Sequence, residues 1–305
     1  MKKIGIYCLG FRRLDMLRIH LPNLSRCKYT DFQFYLLCNE VREQDVSLMR
    51  KYLPNNHTIV TGFDRGNNYI QKIWFASNQP HDFLVKLDED CMMTSESWDK
   101  FFLLIESMSD EDLVCTGAIN NGIPTCDIFI KNFIPEAQNE LNEMFSKTRY
   151  GNMGFVDYTS LNHDGPWNSD DFWNRVDSIN HHFKGIHPVR LNFAAAFKIN
   201  EYILLNPKRS MSPINSEIIV DNSKYPYFCN SLCGAKTKDY KTIIERQDLF
   251  VDPFEEVPLN KYRKETGRNL VIDTGIPMLH TMYNWCPDQN YETNLINKLI
   301  EEYGE

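Results

Sequence analysis

A chain of 305 residues, 42% hydrophobic and 24% charged, has ordinary globular composition and is long enough for a sizeable core in one large or two small domains. A net charge of -8 and a pI near 5.6 exclude a broadly basic, nucleic-acid-coating surface, though not a local basic groove. No run approaches the ~18 apolar residues of a membrane span, and Met1-Lys2-Lys3-Ile4 leads straight into a strand-like segment without a long apolar leader core, so no signal peptide is expected. Nine cysteines, an odd count with no CxxC pair (Cys229 and Cys233 come closest), point to free thiols in a soluble protein of a reducing cytoplasm.

The first 110 residues alternate short apolar runs with amphipathic stretches. Ile4 to Cys8, Phe32 to Cys38, His57 to Thr61 and Phe83 to Leu87 read as strands. Leu14 to Leu21, Val41 to Tyr52, Asn67 to Ser77 and Ser97 to Met108 read as the helices between and after them. That alternation predicts an α/β fold with a mostly parallel, doubly wound central sheet flanked by helices. Farther on, Leu113 to Ala118 and Asp127 to Lys131 read as strands, and Pro135 opens a helix to about Lys147. Residues 149–189, rich in Gly, Asn, His, Asp and Trp, read as loops around a short helical stretch, Phe172 to Ile179. Asn192 to Ile199 is strand-like, and Pro207 to Pro226 reads as an irregular lid. Asn230 to Lys236 is a strand of small residues and Asp239 to Glu245 a helix. A further helix starts near Glu255-Glu256, with Pro258 in its first turn, and ends at Gly267. Leu270 to Ile272 and Met278-Leu279-His280 read as two more strands. With no clean linker, a single domain is expected, divided into a half at 1–120, a half at 121–285 with an insertion at 150–227, and a C-terminal helix at 286–305.

Asp88-Glu89-Asp90, at the end of the fourth strand, carries the clearest chemistry. Three consecutive carboxylates repel one another, so a cation between them is expected, and a divalent metal carrying a diphosphate is the natural candidate. A solvated acidic turn is the plainer alternative. In doubly wound sheets the ligand lies beyond the carboxyl ends of the strands. Leu9 to Arg13, Asn39 to Glu40, Gly62 to Asn68 and Asp88 to Asp90 should therefore converge, a set suited to a nucleotide. Arg12, Arg13, Arg65 and Lys72 are candidate phosphate holders, and Asn39 and Glu40 lie where base and ribose would sit.

The order of strand ends, the Asp-Glu-Asp cluster, the small-residue strand, the acidic pair opening a helix and the late His resembles the GT-A fold of nucleotide-sugar-dependent glycosyltransferases, in particular the inverting, family-2-like group. The resemblance covers most of residues 1–120 and 228–285. It implies that Asp90 binds the metal, that Asp88 faces the ribose or metal, and that His280 completes the metal shell. It further implies that Glu256, second of the pair with Glu255, is the general base, and that Arg65-Gly66-Asn67 forms the turn before the helix under the donor. Glu89 is expected to point away. A metal-dependent sugar transfer from a UDP-sugar to a hydroxyl acceptor follows, with Mn2+ favoured over Mg2+ by the His ligand. The expected acceptor is a glycan, with a hydroxymethylated DNA base as the second choice.

Several residues keep competing readings. Glu256 is also a natural acid for a helix start, and His280 a natural core histidine. Asp170-Asp171 is a rival base whose alternative role is helix capping. His181, His182 and His187 lack ligand spacing, and Tyr158, Trp167 and Trp173 suit core packing as well as sugar stacking. A nucleotidyltransferase and a non-catalytic sugar-nucleotide-binding module are the alternatives to sugar transfer.

Overall fold

A computed structural model describes residues 2–10, 14–39, 47, 49–63, 68–122, 124–146, 189, 193–222, 228–249, 256–281 and 289–303. Strands β1 (Ile4–Gly10), β2 (Phe32–Asn39), β3 (His57–Phe63) and β4 (Phe83–Asp88) alternate with helices α1 (Leu14–Ser25) and α2 (Asn68–Ser77). A two-residue strand β5 (Cys91–Met92) follows β4 and leads into α3 (Ser95–Ser107). The second half contributes β6 (Asp112–Ile119), α4 (Cys126–Phe133), α5 (Gln138–Ser146), α6 (Phe193–Leu205), α7 (Pro207–Met211), β7 (Ile218–Asp221), β8 (Leu232–Lys236), α8 (Thr237–Glu245), α9 (Glu256–Thr266), β9 (Asn269–His280) and α10 (Gln289–Tyr303).

The central sheet runs β3-β2-β1-β4-β8-β6-β9, and β5 and β7 each pair antiparallel with β9. The β3-β2-β1-β4 block is parallel, as is β6 with β9; β8 lies antiparallel between β4 and β6. The chain is thus an α/β protein with a mostly parallel sheet flanked by helices. Period-two alternation of side chains decides which helix covers which face. Ile4, Ile6, Cys8, Phe34, Leu36, Cys38, Val85 and Leu87 pack with Leu17 and Leu21 of α1 and with Trp98, Phe101 and Phe102 of α3. Tyr7, Tyr35, Leu37 and Leu84 pack on the opposite side with Ile73 of α2 and Tyr240 of α8. Both faces are covered, which is why these strands read as nearly unbroken apolar runs.

Four expectations change. Asp127 to Lys131 belongs to helix α4, not a strand: Cys126, Phe129, Ile130 and Phe133 follow helical i, i+3, i+4, i+7 spacing and share one buried cluster. Asn192 to Ile199 is not strand-like, because Phe193 begins α6, whose Ala195, Ala196, Ile199 and Ile203 are buried. The segment after Pro207 is not wholly irregular. Asn206 caps α7 by accepting from the Arg209 N–H (3.4 Å), and β7 pairs with β9. Leu270 to Ile272 and Met278 to His280 are one strand; opposite the register shift at Gly117/Ala118, β9 jumps from Asp273 to Pro277. The expected helices over Val41 to Tyr52, for the most part, and over Phe172 to Ile179 lie outside the described residues.

Candidate metal centre at the carboxyl edge of the sheet

The strand register sets the site. Leu9 pairs with Asp88, Gly10 with Cys38, and Asn39 with Phe63, so the carboxyl ends of β4, β1, β2 and β3 lie side by side. The chain leaves β4 at Asp88, turns through Glu89 and Asp90, and re-enters the sheet as β5, where Cys91 pairs with His280 at the end of β9. Thr281 locks this turn by donating its backbone N–H (3.0 Å) and its hydroxyl (3.1 Å) to the Asp90 carbonyl. From below, buried His20 of α1 donates Nε2–H to the Glu89 carbonyl (2.9 Å).

These connections bring Asp88, Asp90, Cys91 and His280 together, one ligand atom of each lying within 4.8 Å of the others. Asp90 Oδ1 is 3.3 Å from His280 Nε2, and Asp90 and His280 are 5% and 8% exposed. His280 is held by Asn120 and Asn121, which follow β6. Asn120 Oδ1 accepts from the His280 N–H (2.8 Å), Asn121 Nδ2 donates to the His280 carbonyl (2.7 Å), and Asn121 Oδ1 lies 3.0 Å from Nδ1. Ser231 Oγ is 3.4 Å from the same nitrogen.

A second cation source is built into the strand. Lys86 has no exposed surface, shares a β4 face with Asp88, and places Nζ 2.7 Å from Asp88 Oδ1 and 3.3 Å from Asn230 Oδ1. The Asp88 N–H donates to the Ser231 carbonyl (2.9 Å), which ties β4 to the approach to β8. Asp88 therefore already faces one ammonium, while Asp90 faces the imidazole.

The donor set fits a hard divalent ion. Two carboxylates and an imidazole are the ligands such an ion takes, and the imidazole favours Mn2+ over Mg2+. A Cys91 thiolate would favour softer Zn2+. Burial first, and then the charges of Asp90 and Asp88, push the Cys91 thiol well above its ordinary range, and Cys91 packs in the apolar core beside Leu87 and Met93. Cys91 is therefore the weakest donor of the four.

The other expected residues divide clearly. Glu89 does not project as an unconstrained residue; it is 5% exposed. Asn39 ends β2 at the carboxyl edge, although its side chain lies outside the described residues. Lys72 is buried on α2 with Nζ 5.7 Å from the centre of the Phe63 ring. Glu256 opens α9 with its side chain outside the described residues. Arg12, Arg13, Glu40, Arg65, Gly66, Asn67, Glu255, Tyr158, Trp167, Asp170, Asp171, Trp173, His181, His182 and His187 lie outside them altogether. Farther along α9, Asn260 exchanges two hydrogen bonds with the backbone of Phe228 (both 3.0 Å).

Sequence reasoning passed over Lys86, Asn120, Asn121, His20 and Cys91. Lys86 did leave a signal: a lysine inside Phe-Leu-Val-Lys-Leu-Asp, two positions before a carboxylate, shares that carboxylate's face of the strand. The asparagine pair left none, since its role depends on a partner some 160 positions away.

No family model matches the sequence, and no curated protein matches it. Among solved structures the chain is similar to 4-diphosphocytidyl-2C-methyl-D-erythritol synthase from Anaerococcus prevotii, with 9% identity, coverage of 99% of this chain and 96% of that one, and a TM-score of 0.50. A mannosyltransferase, PcManGT from Pyrobaculum calidifontis in complex with GDP-Man and Mn2+, matches 96% of this chain and 59% of its own length at 8% identity and a TM-score of 0.47. TarS of S. aureus matches 38% of this chain and 21% of its own length at 13% identity and a TM-score of 0.32. The chain thus spans about a fifth of TarS and under two thirds of the mannosyltransferase. At 9% identity, what it shares with the synthase is the α/β fold.

Proposed function

We propose that this chain is a metal-dependent glycosyltransferase that moves a sugar from a nucleoside-diphosphate sugar, expected to be a UDP-sugar, to a hydroxyl acceptor with inversion. One observation carries the reading: Asp88, Asp90 and His280 converge at the carboxyl edge of a mostly parallel sheet, where such folds bind nucleotides. When bound, a divalent metal, Mn2+ before Mg2+, supplies Lewis-acid neutralisation of the charge that builds on the leaving diphosphate. Asp90 and His280 would hold it. Asp88, oriented by Lys86, would face the metal or the ribose. Asn39, Glu40, Arg12, Arg65, Gly66, Asn67 and Lys72 are the proposed nucleotide contacts, and Glu256, beside Glu255, the proposed base for the acceptor hydroxyl. A glycan is the proposed acceptor, ahead of a hydroxymethylated DNA base, against which the net charge of -8 counts. No described helix is long and apolar enough to cross a membrane, and the proposed setting is the cytoplasm.

The test is thermal stabilisation across a panel of nucleotide sugars with and without Mn2+, since a ligand of the folded state raises Tm by mass action. A Mn2+-dependent shift with a UDP-sugar is expected, and Asp90→Ala should abolish both the shift and turnover. Glu256→Gln should keep the shift and lose transfer. No shift with any sugar nucleotide overturns the reading, and loss of transfer in Asp171→Asn instead of Glu256→Gln reassigns the base. A nucleotidyltransferase is the second reading, supported by the full-length fold likeness to the diphosphocytidyl-methylerythritol synthase. It predicts that a nucleoside triphosphate stabilises the protein and that sugar nucleotides do not.

A further inference from the structure

Asn121 is 2% exposed, and both ends of its carboxamide are committed to His280. A backbone carbonyl only accepts, so the carboxamide atom 2.7 Å from the His280 carbonyl must be the NH2 group. That fixes the carboxamide oxygen 3.0 Å from His280 Nδ1. An amide oxygen also only accepts, so Nδ1 must carry the hydrogen. Ser231 Oγ, 3.4 Å from Nδ1, can accept from the same N–H, as its hydroxyl has Cys229 Sγ as a partner at 2.9 Å. In the neutral ring Nε2 is then bare, and it faces the carboxylate oxygen of Asp90 at 3.3 Å. A bare imidazole nitrogen beside a carboxylate oxygen offers two lone pairs to one cation.

We propose that Asn121 is a positioning residue: by holding His280 in the Nδ1–H tautomer, it turns the gap between His280 and Asp90 into a divalent-cation site. The proposal rests on the metal reading above and adds the residue that keeps the Nε2 lone pair of His280 available as a ligand. In the other tautomer Nε2–H would donate directly to Asp90, the nitrogen would have no lone pair for a metal, and the pair would be an ordinary buried histidine–aspartate contact. The clamp is anchored beyond the site as well. Asn120 accepts from the His280 N–H (2.8 Å) and donates to Asn200 Oδ1 of α6 (3.3 Å), so the asparagine pair is positioned by the second half of the chain.

The test reads the tautomer and the metal separately. Long-range proton–nitrogen correlation spectra of the metal-free protein labelled at histidine nitrogens, taken at about pH 8 on the alkaline side of the ordinary histidine range, should show His280 protonated at Nδ1 and bare at Nε2. His280→Gln identifies the resonances. Mn2+ affinity is measured on the same samples from the electron paramagnetic resonance signal of the free ion. Asn121→Leu should switch His280 to the Nε2–H tautomer and weaken Mn2+ binding about ten- to a hundred-fold, as loss of a ligand-orienting partner does. Asn121→Asp keeps an acceptor opposite Nδ1 and should keep the tautomer. An Nε2–H tautomer in the unmutated protein overturns the proposal and needs no variant to fold. An Asn121→Leu protein that retains the Nδ1–H tautomer, or binds Mn2+ as before, overturns it too. An unmutated protein with the Nδ1–H tautomer that fails to bind Mn2+ upholds the positioning role of Asn121 and overturns the metal reading instead.

Discussion

His20 is a fully buried imidazole beneath the acidic turn, with Nε2 on the Glu89 carbonyl and no partner for Nδ1 among the described residues. Burial outweighs the help of that carbonyl and of nearby Asp90, and lowers its pKa from the ordinary 6.5 to about 4. The sign of the consequence follows from linkage. Between pH 6.5 and 4 the unfolded chain takes up a proton that the folded chain refuses, so stability is full above 6.5 and falls as the pH drops through that window. The shift corresponds to about 3 kcal/mol. Urea unfolding at pH 7 and pH 4 should show this loss in the unmutated protein and a flatter profile in His20→Leu; equal slopes would remove His20 as the cause. At this scale the carboxylate cluster was legible because repelling charges at a strand end announce themselves, whereas the late histidine stood out only through the family resemblance. Asn121 and His20 were not, because an asparagine or histidine declares its role only through what faces it. Lys86 stands between: its strand face was readable, but not that it would neutralise one of the carboxylates.

The reach of β9 decides whether those groups meet at all. This strand carries His280, and it stays parallel to β6 by slipping register where Gly117 and Ala118 face Asp273 and Pro277. A Cβ on Gly117 would come 2.5 Å from the Ile276 carbonyl oxygen and 2.9 Å from the Ile276 Cβ. Gly117→Ala must therefore push β9 away, at a cost of about 1–3 kcal/mol typical of overpacking a filled interior. Because the displaced segment lies four residues before His280, Mn2+ binding should weaken alongside the midpoint in denaturant. A variant of normal stability and normal Mn2+ affinity would show that the bulge has room. Strands β1, β2 and β4 were readable because each is largely buried and apolar for most of its length; the edge strand β3 showed instead by its β-branched residues. The errors came from short apolar runs in the second half. Ile128-Phe129-Ile130 and Phe193 to Phe197 look strand-like in isolation, and only the spacing of their buried residues over a longer window marks α4 and α6. The division of β9 into two strands failed differently, since Asp273 to Pro277 has turn composition yet is carried within one strand.

At the scale of the whole molecule, the eight described cysteines are all buried and none is paired in a disulfide. Burial raises the thiols of Cys27, Cys38 and Cys233 to about 12 and those of Cys8, Cys91, Cys115 and Cys126 well above their ordinary range. Alkylation near neutral pH, mapped by mass spectrometry, should leave these positions unmodified in the native protein and modify them together as urea unfolds it. Early labelling at Cys115 or Cys233 would mean that the β6-β8 contact opens by itself. The parallel, helix-flanked sheet was predictable from alternation alone. The insertion of antiparallel β8 between β4 and β6 was not, because strand order is fixed by packing between distant segments rather than by any local pattern.

The pairing of Asp90 with Thr281 spans 191 positions, and β5 finds its partner only at the end of β9. During synthesis, β1 to β4 can associate while the rest of the chain is still being made, yet the acidic turn then has neither its imidazole nor its lock. Closing so long a loop is slow and entropically opposed, which places it late in folding. On the proposed reading, cation binding would be a report of completion: a nascent or C-terminally clipped chain could hold much of its sheet and still be blind to the ion.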